Sequence, residues 1–191
     1  MVTRVVAALV AALASIGAPA DPGLVPAARE FHSRPGAPVA LWITYDPVTV
    51  GGWSSTAPNL DPWTRSATYQ VLVDLWARWD VDVVWTTGTP PSPPRGDAVI
   101  VVAGNWQCAC GGLAPLGGAR SDVVDDRYGW VFASLVIADQ RVIARVAAHE
   151  FGHLLGLEHT TDGGIMDPHR DPLADWSPAD IAALDARLPL A

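Results

Sequence analysis

The stretch His149–His159, HEFGHLLGLEH, leaves this chain few ways to fold. Two histidines stand four residues apart, with a glutamate directly after the first. On an α-helix, positions i and i+4 share one face. A helix through this stretch therefore turns His149 and His153 towards one point, where both imidazoles can reach the same ion. Zinc takes such nitrogen ligands at about 2.0–2.1 Å. Glu150 can stand beside the ion without ligating it, where a general base for an activated water belongs. Gly156 follows and can end the helix in a left-handed conformation that other residues avoid. The chain then turns back, and His159 can supply a third ligand. Three protein ligands leave a position for water, which separates a catalytic zinc site from a closed structural one. The bland alternative is an amphipathic helix whose histidines face solvent.

The full pattern, HExxHxxGxxH, is followed by Gly164-Ile165-Met166-Asp167-Pro168. Together they resemble the metzincin clan of zinc endopeptidases. The resemblance implies a turn that sets Met166 beneath the metal. A last helix starting at Trp176-Ser177-Pro178-Ala179-Asp180 is similar to that of the matrixin branch. Thr160 stands where matrixins often carry serine, and the stretch from His159 to Met166 is one residue tighter than usual there, so the chain is matrixin-like. The likeness is specific over 149–188 and extends only to the order of elements over 39–148. It implies a mixed α/β, zincin-like domain. A five-stranded mixed sheet would pack on two long helices, with a small C-terminal lobe carrying the methionine turn and the final helix. The cleft between the two parts would be the active site. Gly112-Leu113-Ala114, with Pro115, resembles the edge strand that metzincins offer to substrate for β-addition. A glycine-rich loop without a binding role is the other reading of that segment.

The remaining segments fit that order. Val39–Tyr45 and Val81–Thr86 are β-branched and aromatic, and read as strands. Ala98–Ala103 is a continuous apolar run, as a buried strand requires. Trp130–Val136 reads as a further strand, and residues 46–60 as a loop. Asp61-Pro62 opens a helix over 62–79, with Tyr69, Leu72, Leu75, Trp76 and Trp79 at helical spacing. Asp139 is positioned to cap the histidine-bearing helix. Ser177 and Asp180 form a capping-box pair around Pro178, ahead of Ile181, Leu184 and Leu188.

The N-terminus points to export. Arg4, the apolar run Val5–Ile16 and the small residues Ala18 and Ala20 make residues 1–20 a secretory signal segment. Residues 21–38, rich in proline, alanine and glycine, read as a flexible linker or short pro-segment, so the catalytic domain is expected over 39–191. No stable membrane anchor is expected, and the location is extracellular. The net charge of −8 argues against nucleic acid and anionic lipid as partners. The expected partner is a protein or peptide substrate, and the expected state is a monomer. Asp122, Asp125 and Asp126 can bind calcium in principle, but their spacing fits no calcium loop and a solvated turn accounts for them. Cys108 and Cys110 leave three options open: a local disulfide, free thiols or a soft-metal site. His32 and His169 are too few for a second, structural zinc.

The functional expectation is a secreted zinc-dependent endopeptidase that uses one catalytic Zn2+, held by His149, His153 and His159, with Glu150 as general base. The alternatives are a secreted zinc-binding module without turnover and a zinc hydrolase of a non-peptide bond.

Overall fold

A computed structural model of the chain describes residues 30–191 apart from 89, 91, 106, 107, 137, 138, 170 and 172. The expected signal segment and residues 21–29 of the expected lead lie outside the described residues. Three runs form the parallel heart of a mixed sheet: β2 (Val39–Thr44), β5 (Val81–Thr86) and β6 (Ala98–Ala103). Every residue of β6 is buried, as its unbroken apolar sequence demands of a strand covered on both faces. β8 (Tyr128–Phe132) continues the parallel set beside β6. It starts two residues before the expected Trp130 and stops before Val136, because the chain turns after Phe132 towards the next helix. Gly129 lies inside it, where a Cβ would come within 2.8 Å of Ile100 Cδ1.

Both edges are antiparallel. β7 (Gly112–Leu113) pairs with β8, with Gly112 opposite Val131 and Leu113 opposite Trp130. β1 (Glu30–His32) pairs with β5 at the other end. Among the described residues the sheet therefore has six strands in the order β1-β5-β2-β6-β8-β7, where five are expected from the sequence. The extra strand comes from the segment read as a lead. Its three residues are too short for a visible period, and what pins them is a side-chain contact: His32 Nδ1 lies 2.6 Å from Asp82 Oδ2. Asp82 also accepts the Arg34 backbone N–H at 2.8 Å.

The segment 46–60, read as a loop, contains a hairpin of β3 (Thr49–Val50) and β4 (Trp53–Ser54). Gly51 and Gly52 both have positive φ, the requirement of the tight turns that match strand twist. The hairpin lays Trp53 edge-on against Trp130, with ring centroids 4.2 Å apart. It thereby covers the face of the sheet formed by Val99, Val101 and Phe132.

Two helices cover the opposite face. α1 (Pro62–Trp76) is capped by Asp61, which accepts the Thr64 N–H, and buries Thr64, Thr68, Leu72 and Trp76 at four-residue spacing. It ends at Trp76, not at residue 79, yet Trp79 is still buried and packs with Trp76 and Trp176. α2 (Gln140–Leu154) buries Ile143, Ala144, Ala147, Phe151 and Leu154 in the same core. The C-terminal lobe is tied to α1 by Trp176, whose indole N–H donates to Leu75 O at 3.0 Å. It ends in α3 (Pro178–Asp185), which has the expected capping box of Ser177 and Asp180. Among the described residues, no helix is long and apolar enough to cross a membrane.

The clamp on β1 depends on pH. The hydrogen bond to Asp82 raises the His32 pKa above its ordinary 6.5 against the smaller opposing effect of burial, and Glu30 adds to the rise. The protonated form is thus favoured by folding. That stabilisation is full below about pH 6.5 and is lost as pH climbs through the raised value. Hydrogen exchange of the amides of 30–34, corrected for intrinsic rates, should show protection that is highest below about pH 6.5 and falls as pH rises above it. In His32→Ala the protection should be lower and flat with pH. A flat profile in the unmodified protein would contradict the clamp.

Candidate metal centre

α2 is built to deliver its histidines. Asp139 caps it by accepting the Arg141 N–H, and the apolar stripe fixes its rotation on the sheet. That rotation leaves His149 buried and His153 half-buried at the edge of the core. The helix then stops in a Schellman turn: Gly156 N–H donates to His153 O and Leu157 N–H to Gly152 O, both at 2.8 Å. Gly156 has φ +89°, as this turn requires. The reversal returns the chain along α2 and brings His159 over the other two rings.

The three Nε2 atoms lie 3.0 to 3.2 Å from one another. Ligands about 2.05 Å from a tetrahedral ion stand about 3.3 Å apart. Their protonation follows from the far side of the rings. His149 Nδ1 faces Ile165 O at 2.7 Å, and His153 Nδ1 faces Leu157 O at 2.8 Å. A carbonyl can only accept, so both Nδ1 atoms carry the proton. In the neutral rings both Nε2 atoms are then bare lone pairs, pointing at each other. Burial lowers the His153 pKa; the Leu157 carbonyl opposes it, and His159 adds a further push down. Converging lone pairs in a partly buried site call for a cation. The donor set, three imidazoles with an open side, is the set that zinc accepts. Among the described residues this is the group of histidine, cysteine or acidic side chains whose ligand atoms gather closely enough to hold a metal.

Glu150 is buried beside the first histidine. Its carboxylate lies against Gly112 of β7: a Cβ there would come within 2.4 Å of Glu150 Oε1. Gly112, Cys110, His149, His159 and Pro168 line a cleft of about 360 Å³. A larger cavity, about 540 Å³, lies near the N-terminal half of α2 between Trp79, Arg145 and Trp176, and holds none of these groups. Chemistry, not volume, selects the cleft. Ala114, the last of the three residues read as the edge segment, follows β7 and packs on the helix-side core.

Met166 is fully buried, and Gly152 makes room for it: a Cβ on Gly152 would come within 2.5 Å of the Met166 sulfur. Thr160 N–H donates to Met166 O at 3.1 Å, joining the His159 segment to this turn. Asp180 does more than cap α3. One of its carboxylate oxygens accepts the Met166 N–H at 3.3 Å and the Ser177 N–H at 3.2 Å. The capping-box pattern marks Asp180 in the sequence, but nothing there reveals that it also holds the methionine turn. The supporting carbonyls of Ile165 and Leu157 are likewise silent in the sequence, since any residue supplies a carbonyl.

The other residues singled out earlier have separate surroundings. Cys108 and Cys110 are joined in a disulfide. Asp122 pairs with Arg95 at 3.6 Å, and Asp126 accepts from the Ser121 hydroxyl at 2.6 Å. His32 lies at the far edge of the sheet, and the His169 N–H donates to Asp167 at 2.8 Å.

Known proteins share this arrangement at the level of fold. The archaemetzincin of Archaeoglobus fulgidus superposes with a TM-score of 0.50 at 16% identity, over 75% of this chain and 98% of that one. Metalloproteinase-II of Bacteroides fragilis gives 0.51 at 11% identity, over 79% of this chain and 53% of its own longer one. No curated protein matches in sequence. The matrixin family profile matches residues 69–184, which run from the middle of α1 to α3 and hold the three histidines, Glu150 and Met166. The chain therefore belongs to the matrixin family of zinc metallopeptidases.

Proposed function

We propose that the chain is a secreted zinc endopeptidase that cleaves protein or peptide substrates laid along β7. The observation that carries this is the juxtaposition of three converging imidazole Nε2 atoms with a buried carboxylate and an open strand edge. His149, His153 and His159 would hold the ion. When bound, zinc supplies a Lewis acid that polarises a carbonyl and brings the pKa of a water towards about 7. Glu150 takes the proton from that water. The same carboxylate then hands it to the leaving amine, and its burial keeps bulk water from competing for the proton. Among the described residues, β7 has one edge paired with β8 and no strand on the other, which suits it to receive an extended peptide by main-chain hydrogen bonds. Because Gly112 touches Glu150, a peptide paired there is delivered to the base. Export is supported by the signal-like sequence of residues 1–20 and by the disulfide, which belongs to an oxidising compartment.

Two substitutions test this reading. Glu150→Gln keeps shape and removes the base. Cleavage of an unstructured protein such as casein should fall by about 10⁴-fold, the upper end for loss of a general base that acts twice. Zinc content, measured alongside, should not change. Equal cleavage by both forms would contradict the role of Glu150, and no cleavage by either with zinc bound would favour a module without turnover. Gly112→Ala pushes a methyl into the Glu150 carboxylate. It should retain zinc but lose on the order of 10²-fold in kcat/KM, the scale of a misplaced catalytic group. An unchanged kcat/KM would separate β7 from the chemistry.

A further inference from the structure

The free edge of β7 borders two different surfaces. Gly112 faces α2 and Glu150. Leu113, the next residue, faces the other side of the sheet, since its register partner Trp130 belongs to the core beneath the β3–β4 hairpin. On that side lies a pocket of about 380 Å³, unconnected with the histidines. Leu113, Trp53, Tyr128 and Trp130 form its apolar and aromatic walls, and Asp125 and Asp126 its acidic ones. Asp125 is exposed and stands over the hairpin tip, its Oδ2 3.9 Å from the position of a Cβ on Gly51. No arginine lines the pocket, and none of the ion pairs among the described residues involves Asp125 or Asp126.

We propose that this pocket is a substrate subsite for a basic side chain, so that the enzyme selects peptides carrying arginine or lysine beside the scissile bond. This rests on the reading of β7 as the strand that pairs with substrate. Side chains of a paired peptide alternate between the two faces of the sheet. Those on the Gly112 face meet Glu150 and the metal ligands. Those on the Leu113 face meet the pocket. A long aliphatic stem fits against Leu113 and the indoles, a cation over an aromatic face is attracted by its quadrupole, and the carboxylate of Asp125 receives the charged end. An acidic side chain at the same position is repelled, so the pocket discriminates as well as binds.

The test uses the full chain, loaded with zinc, and quenched fluorescent peptides that differ only at one position. Arginine, glutamine and glutamate are compared at each position flanking the cleaved bond. At one position arginine should exceed glutamine by about 5-fold in kcat/KM, the scale of a partly exposed ion pair with aromatic contact. Asp125→Asn should erase that preference while leaving cleavage of the glutamine peptide unchanged, and Asp125→Arg should turn it towards glutamate. No charge preference at any position, or a preference that Asp125→Asn leaves intact, would overturn the subsite while the peptidase reading stands. No cleavage of any peptide would overturn that reading and the subsite with it.

Discussion

Two hydrogen bonds, from His149 to Ile165 O and from His153 to Leu157 O, govern the whole arrangement. Each fixes a proton on Nδ1 and so bares the lone pair on the other nitrogen. Without them the rings could flip or hydrogen-bond to each other, and the convergence of Nε2 atoms would have no chemical meaning. Both acceptors lie beyond the end of α2, one in the Schellman turn and the other next to Met166. The site therefore requires the chain to reverse after Gly156 and return under the helix. The C-terminal lobe exists to hold that return. Asp180 grips the Met166 backbone, Trp176 ties the lobe to α1, and Arg145 of α2 donates to Ala174 O at 2.7 Å.

Small residues let these parts approach. Gly152 admits the methionine turn against the helix, and Gly112 admits the edge strand against Glu150. At each place a methyl group would meet a neighbour at 2.4 to 2.5 Å, well inside contact distance. One substitution would thus press on the histidine-bearing helix from below and the other on Glu150 from the side. The second face of the sheet is organised independently, by indole stacking under the hairpin, and needs no part of the metal centre. In the function proposed above, that independence would let selectivity for substrate sit on one face and chemistry on the other.

The candidate metal centre is legible in the sequence because its three histidines are local. Three histidines and a glycine within eleven positions encode their own geometry once the helix is assumed. The caps at Asp139 and Ser177 and the strands over 81–86 and 98–103 are legible for the same reason, being decided by neighbours in the chain. What escapes is decided at a distance. β1 is three residues long and is pinned by Asp82, fifty positions away, so no window around it carries a signal. The start of β8 is hidden by Gly129, a weak strand former that is there for close packing on Ile100. The hairpin of β3 and β4 did have a signal, Gly51-Gly52, but its two-residue strands offer no alternation to support it.

The central claim is that the three imidazoles hold one zinc ion and leave one side open. X-ray absorption at the zinc edge of the purified chain tests it most directly. About one zinc per chain is expected, with three nitrogen neighbours and one oxygen at about 2.0–2.1 Å. A shell containing sulfur would contradict it, because Cys108 and Cys110 are joined to each other here and take no part in the site. So would zinc held by four protein ligands, or its absence from protein prepared without chelator.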